Sequence, residues 1–338
     1  MNKDIFILAI ETSCDDTAVS IIKNGNEVLS NVVWNQNKTH QKFGGIVPEL
    51  SARKHLKVIN YVIIEALETA EVAFSDLSAI AVNNQKGLIR SLVVGVSAAK
   101  SLSFALNIPL ISVHHIEGHI FSNFIGKEVS FPHICLTISG GHNLLIHVSD
   151  FFKYQVIGNT LDDAVGEVYD KVARVLGLSY PGGPIIDKLS KSGDEKKYMF
   201  SRPMTDLDSL DFSFSGLKTE VSRLKNKLDE NHSPYKIEDI CASFQRAVID
   251  TLIFKTLIAC RKQNIKVVSV VGGVSANSRL RELFYEVEKK NNLEVHFPEL
   301  QYTTDNAAMI GFVAYQKFIN KNFESLDLEV YTDKSLIS

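Results

Sequence analysis

Within the stretch VHHIEGHIF stand His114, His115, Glu117 and His119. His115 and His119 are four apart, the spacing that places two imidazoles on one face of a helix where a single metal ion can take both. A zinc protease of the H-E-x-x-H type also needs a glutamate directly after its first histidine, to activate metal-bound water. Glu117 follows His115 by two places, about 200° round a helix that turns about 100° per residue, and so points away from any metal face. His114 followed by His115 supplies no such glutamate either. The protease reading loses its general base. What remains is a two-histidine clamp with its third ligand elsewhere, or ordinary polar residues after a buried strand.

Other segments hold side chains of similar capacity. Glu11-Thr12-Ser13-Cys14-Asp15-Asp16-Thr17 reads as a polar turn. Its carboxylates and hydroxyls are the oxygen ligands hard cations take, or simply good turn formers. In Ser139-Gly140-Gly141-His142, paired glycines let backbone N–H groups approach an anion with no Cβ in the way, or make a plain hairpin turn. VVSVVGGVSANSRLRE runs from a buried strand through Gly272-Gly273 into a helix led by Ser275 and Asn277. A helix start offers free N–H donors to a nucleotide, although this is not the G-x-G-x-x-G of a Rossmann fold. Asp170 and Asp187 are solvated helix acids or acceptors for ribose hydroxyls. Asp305 and Asn306, in TTDNAAMIG, suit a helix N-cap. A carboxylate there would also complete a metal site with His115 and His119, a two-histidine, one-carboxylate set that zinc or iron accepts.

The elements that must position these groups follow one plan used twice. FILAIE, TAVSII and EVLSNVVW form a three-strand meander joined by SCDD and KNGN. HICLTIS, LLIHVS and YQVIGNT form another, joined by GGHN and DFFK. After the first come a helix near 48–70, the strand AIAVNN, a helix from about 90 to 106, and the strand PLISVHH. After the second come helices near 163–177 and 238–263, KVVSVVGG, a helix over 276–291, EVHFP and a last helix near 305–320. This α/β order is that of the duplicated actin-like ATPase fold shared by actin, hexokinase and Hsp70, with two lobes and a central cleft, a natural ligand site. The expected lobes are 1–112 with 300–338, and 113–299. Residues 179–235 break the alternation and read as an insertion.

A chain of 338 residues suits two domains. With 45% hydrophobic and 22% charged residues it reads as soluble and globular. The start, MNKDIFILAIETSCDD, is neither a signal nor a transit peptide, and no run of about 18 uninterrupted apolar residues exists to span a membrane. Cys14, Cys135, Cys241 and Cys260 form no C-x-x-C pair and read as reduced thiols of a cytoplasmic protein. The net charge of -3 excludes a broadly basic surface, so a nucleic-acid partner would need a local patch or another subunit.

Taken in order, ETSCDDT, GGIVPELSARKH, VHHIEGH, SGGHN, DKVARVLGLSYPGGP, FSFSGLKT, SFQRAV, GGVSANSRLR and TDNAAMIG resemble the TsaD family of tRNA threonylcarbamoyltransferases, once labelled O-sialoglycoprotein endopeptidases. The resemblance implies transfer of a threonylcarbamoyl group from threonylcarbamoyl-adenylate to the exocyclic amine of the adenosine beside the anticodon, in tRNAs reading codons that begin with adenine. It implies one Fe(2+) or Zn(2+) on His115, His119 and Asp305. By the same likeness, Thr137, Ile138, Ser139, Gly140 and Gly141 cradle the phosphate and acyl portion. Asp170, Gly183, Asp187 and Asn277 hold ribose and adenine, and Glu11 and Asp16 lie close to phosphate or metal as catalytic candidates. The implied partners are tRNA, the degenerate paralogue TsaB and the ATPase TsaE.

One departure stands out. Where the family usually has Gly-Pro-Gly-Leu, this chain reads Asn84-Gln85-Lys86-Gly87-Leu88. The fold is expected to hold, with loop geometry altered and Lys86 and Arg90 available to tRNA or a partner. The competing readings are a sugar or acetate kinase of the same fold, a non-catalytic subunit, and a metalloprotease. Retention of both metal histidines favours the active transferase.

Overall fold

In a computed structural model, which describes residues 4–205 and 208–332, the chain divides into two compact units, Met1–Glu128 with Pro298–Ser338, and Val129–Phe297. The first three residues of the stretch read for a leader, two residues of the expected insertion and the last six of the first lobe lie outside the described residues.

The first unit begins β1 Phe6–Glu11, β2 Thr17–Lys23, β3 Glu27–Trp34, α1 Asn37–His40, α2 Pro48–Ala70, β4 Ala79–Gln85, α3 Ile89–Leu106, β5 Leu110–His114 and α4 His115–Phe121. The second holds β6 His133–Ile138, β7 Asn143–Asp150, β8 Lys153–Asn159, α5 Val165–Val175, α6 Gly182–Ser190, α7 Ser215–Glu230, α8 Ile237–Gln263, β9 Val267–Val271, α9 Ser278–Asn291 and β10 Glu294–His296. The chain then returns to the first unit with α10 Ala307–Ile319.

Each unit is built on a five-stranded sheet, ordered β3-β2-β1-β4-β5 in one and β10-β9-β6-β7-β8 in the other. In both, the meander strands pair antiparallel and the later strands join parallel to the first: β1 with β4 and β4 with β5, β6 with β9 and β9 with β10. Parallel joins need crossover helices, which cover the sheet faces and bury the strands on both sides. Leu8 and Ile10 of β1 accordingly join Ile59, Ile63 and Val96 in one core. On the opposite face Ala9 and Ile22 meet Gly311 of α10, where a Cβ would come within 2.4 Å of Ile22. The β2–β3 hairpin closes on two successive left-handed residues, Asn24 and Gly25.

Two expectations are revised. The lobe boundary falls after Glu128 rather than after residue 112, because α4 packs on α10: a Cβ on Gly118 would lie 3.1 Å from both Ile310 and Met309. The 179–235 segment is also more than an insertion, since Ile186, Phe212, Phe214, Leu217 and Val221 are fully buried members of the second core. Helix α3 has the length and apolarity of a membrane span, but Leu92, Val96 and Ala99 are buried within the first unit.

Candidate functional site

Helix α4 begins where β5 ends, and His114 makes the join: its Nδ1 accepts the Ile116 N–H at 3.1 Å, so this histidine caps the helix. His115 and His119 then share one face, their rings edge-on with centroids 4.7 Å apart. Asp305 Oδ1 lies 3.4 Å from His115 Nε2 and 3.2 Å from His119 Nε2. Candidate ligand atoms of the three residues fall within 4.8 Å of one another, close enough for one metal ion. The N-cap duty at α10 is taken by Asn306, whose side chain accepts the Met309 N–H at 3.0 Å, so Asp305 is left to the histidines.

Glu11 ends β1 directly behind this group. Its Oε2 lies 3.4 Å from His115 Nδ1, and its Oε1 accepts the Ser13 N–H at 2.6 Å. A carboxylate on the far nitrogen keeps the proton on Nδ1 and turns Nε2 toward the ligand position, the usual support of a metal-bound imidazole. Burial opposes charge on every member, yet Asp305 and Glu11 raise the His115 pKa. For Asp305 burial again opposes charge, and the two imidazoles hold its carboxyl below the usual range. Asp16 goes the other way, to about 8, through burial and the nearby carboxylates of Asp15, Asp305 and Glu11. Such a surplus of carboxylates around two imidazoles fits a cation.

The polar turn carrying Asp16 is clamped from below. Ser51 of α2 donates its hydroxyl to the Cys14 carbonyl, and His55 of the same helix bonds both Cys14 O, at 3.1 Å, and Thr17 Oγ1, at 2.7 Å. Thr12 donates to the Ser91 carbonyl of α3 at 3.0 Å. Beside it lies the departing Asn84–Leu88 segment. Leu88 N–H donates to Ser13 O at 2.7 Å, and a Cβ on Gly87 would come within 2.6 Å of that oxygen, so this glycine is required. Lys86 sits at φ 65, a value closed to proline. Its N–H donates to Tyr331 O at 3.0 Å, while Tyr331 N–H donates to Asn84 O at 2.9 Å. Arg90 pairs with Glu49 at 3.7 Å.

In the second unit Thr137 and Ile138 are buried at the end of β6, and Ser139–His142 forms the tight turn into β7. Among the described residues, none beyond the immediate chain neighbours comes within 4 Å of a Cβ built on Gly140 or Gly141. The glycines the fold demands are others. A Cβ on Gly166 would meet Gly140 Cα at 2.7 Å, and one on Gly272, at φ +89, would meet Ile138 O at 2.5 Å. Sequence reading passed over Gly166, whose signal was a poor helix former in the first turn of α5.

The remaining residues gather round α6. Asp170 Oδ1 accepts the Gly182 N–H at 2.7 Å at the helix start, and burial raises its pKa. Gly183 has open space beside it. Asp187 accepts from Ser278 N–H and Oγ, each at 3.1 Å. Asn277 caps α9 by accepting the Leu280 N–H at 2.9 Å, and its amide donates to Gln245 Oε1 at 2.7 Å. Gln245, in SFQRAV, had no role in the sequence reading. Glu117, finally, pairs with Lys317 at 3.0 Å and is turned from the metal group, so the protease reading lacks its base in space as well.

Two sheets of matching order, each an antiparallel meander extended by parallel strands, define the actin-like ATPase class. Solved structures share the fold. Component A of the (R)-2-hydroxyglutaryl-CoA dehydratase of Acidaminococcus fermentans aligns with a TM-score of 0.55 at 18% identity, over 93% of this chain and 98% of that one. Full-length HypF aligns with a TM-score of 0.62 at 14% identity, over 96% of this chain and 48% of that one. At those identities the likeness carries the fold alone.

The chain belongs to the TsaD family, tRNA N6-adenosine threonylcarbamoyltransferase, whose model matches residues 27–312. A Clostridium novyi relative with that name is 46% identical over 338 residues, and one from Caldicellulosiruptor saccharolyticus is 47% identical over 335, each covering 99% of both chains.

Proposed function

We propose that this chain performs the reaction its relatives are named for, moving a threonylcarbamoyl group from threonylcarbamoyl-adenylate to the exocyclic amine of the adenosine beside the anticodon, with release of AMP. The observation that carries the reading is the convergence of His115, His119 and Asp305 with Glu11 behind them, in a chain 46% identical over its length to named transferases.

A bound Fe(2+) or Zn(2+) would serve as a Lewis acid for the acyl carbonyl and the leaving phosphate. His115 Nε2, His119 and Asp305 would hold it, and Glu11 would keep the His115 proton on Nδ1. Asp16, whose carboxyl is pushed up to about 8 in the metal-free chain by burial and the neighbouring carboxylates, would lie close to the phosphate or metal. The backbone from Thr137 to Gly141 would receive phosphate and acyl oxygens where Gly140 and Gly141 leave space. Asp170, Gly183, Asp187 and Asn277 would hold ribose and adenine through capacity beyond their helix-capping bonds. A covalent acyl-enzyme is not needed. Burial and the carboxylates of Asp15, Asp305 and Asp16 push the Cys14 thiol up, and burial takes Cys135 and Cys241 to about 12 and Cys260 to about 11. Thiols held protonated are poor nucleophiles.

The same proposal includes a cytoplasmic setting, with TsaB and TsaE as partners and tRNA as acceptor; the family resemblance supports it. The test is reconstitution with tRNA, ATP, threonine, bicarbonate, the adenylate-forming enzyme and both partners, followed by nucleoside analysis. Threonylcarbamoyladenosine should form with the native chain and vanish with His115→Ala. Absence of the modified nucleoside with the native chain would favour the non-catalytic subunit, and full activity of a metal-free variant would overturn the metal's role.

A further inference from the structure

We infer that Glu117 and Lys317 are positioning residues that set the metal-binding face of α4 in register with Asp305. The inference rests on the metal-centre reading and concerns residues outside the ligand set. Glu117 leaves α4 on the side opposite the two histidines and meets Lys317 Nζ of α10 at 3.0 Å. The same ammonium donates to the Ser112 carbonyl of β5 at 3.0 Å. One cation thus ties together the strand that leads into α4, the helix itself and α10. Helix α10 starts directly after Asp305 and its neighbour Asn306.

Stability alone does not account for this pair. The Glu117 and Lys317 side chains are only 7% and 17% exposed, and removing two charges from water costs roughly what their attraction returns, so an apolar pair of similar volume would hold the helices as well. The ion pair adds a charge-specific contact that apolar packing lacks. A seven-residue helix has little rigidity of its own, and apolar packing around Gly118 tolerates small rotations that a metal site does not, since ligand distances must hold to about 0.2 Å. Gly118 fixes how close α4 comes to α10, through Ile310 and Met309. The ion pair fixes its rotation and its position along α10, which is what brings His119 Nε2 to 3.2 Å from Asp305.

The test uses full-length protein stripped of metal, with zinc affinity measured against a chromogenic chelator and the thermal midpoint recorded for each metal-free form. Glu117→Gln alone and Lys317→Met alone should lower the midpoint and weaken zinc, because each leaves a buried charge or polar group without its partner. The double variant Glu117→Met/Lys317→Met should recover the midpoint yet bind zinc at least tenfold more weakly than the native chain, the scale on which groups supporting metal ligands act. Lys317→Arg should keep both properties. A double variant with native zinc affinity would overturn the inference, as would one that fails to recover its midpoint, since the pair would then be a stabilising element only. A native chain that binds neither zinc nor iron would overturn the metal-centre reading itself.

Discussion

The Nδ1 atom of His55 lies 2.7 Å from the hydroxyl of Thr17, and the other nitrogen of the same ring lies 3.1 Å from the Cys14 carbonyl, so one imidazole fastens both flanks of the turn that carries Asp16. Burial lowers the His55 pKa, so the neutral ring accepts from Thr17 and donates to Cys14. His55→Phe leaves the Thr17 hydroxyl without this partner, while the Cys14 carbonyl keeps the Ser51 hydroxyl, and should cost about 1–3 kcal/mol in denaturant unfolding. A loss under half a kcal/mol would show that the turn holds itself.

His119→Ala and Asp305→Asn should each reduce metal content, measured by elemental analysis after purification, from one ion per chain to a small fraction of that. Glu11→Gln retains all three ligands and loses the charge behind His115. It should still load metal but release it about ten- to a hundredfold more readily. Loading indistinguishable from the native chain would remove Glu11 from the support of the site.

Glycines in the second unit separate fold from ligand binding. Gly272→Ala forces a side chain into a left-handed backbone, against Ile138 O, and should cost about 2–4 kcal/mol. Gly140→Ala enters open space and should unfold within about 0.5 kcal/mol of native, while weakening a non-hydrolysable adenylate analogue in calorimetry. Unchanged affinity would count against the proposed cradle.

His133 supplies a pH dependence in the second unit. It is fully buried, and burial lowers its pKa from 6.5 to about 4, against the donation of Nδ1–H to the Ser130 carbonyl. Between those values the unfolded chain takes up a proton that the folded chain refuses, so stability is full above 6.5 and falls as pH drops toward 4, by about 3 kcal/mol in all. His133→Phe should remove that part of the acid sensitivity in unfolding curves taken across the window. An identical slope would place the sensitivity elsewhere.

At the departing turn, Lys86→Gly should stabilise the fold by about 1 kcal/mol, since Lys86 holds φ 65 against the preference of any side chain. Lys86→Pro should destabilise it by about 3 kcal/mol or more, because the ring excludes that φ and removes the N–H bonded to Tyr331 O. A tolerated proline would mean that the turn readily leaves this backbone.

What could be read from the sequence was local. Strand alternation and turn residues marked both meanders, and the four-residue spacing set His115 and His119 on one face of α4 with Glu117 opposite. The side chain Glu117 would find there could not be read, because Lys317 is distant in sequence and only the packing of α10 brings it near. Asp305 was reachable through its possible chemistry and the family resemblance, whereas the place of Glu11 behind His115 required knowing that β1 ends beside α4. The lobe boundary was misplaced for the same reason: the residues that draw α4 into the first unit, Ile310 and Met309, follow the whole of the second. Gly140 and Gly141 drew attention as a pair, while Gly166 and Gly272 are demanded by backbone atoms far along the chain.

The late return of α10 has a consequence for biosynthesis. Chains emerge N-terminus first and fold largely domain by domain, so the second unit is complete on the ribosome while the first still lacks the helix that covers Ala9 and Ile22. Until that helix arrives, Ala9 and Ile22 lack the cover that Gly311 brings. Asp305 enters with the same segment, so the group it forms with His115 and His119 is complete only once that segment has been made.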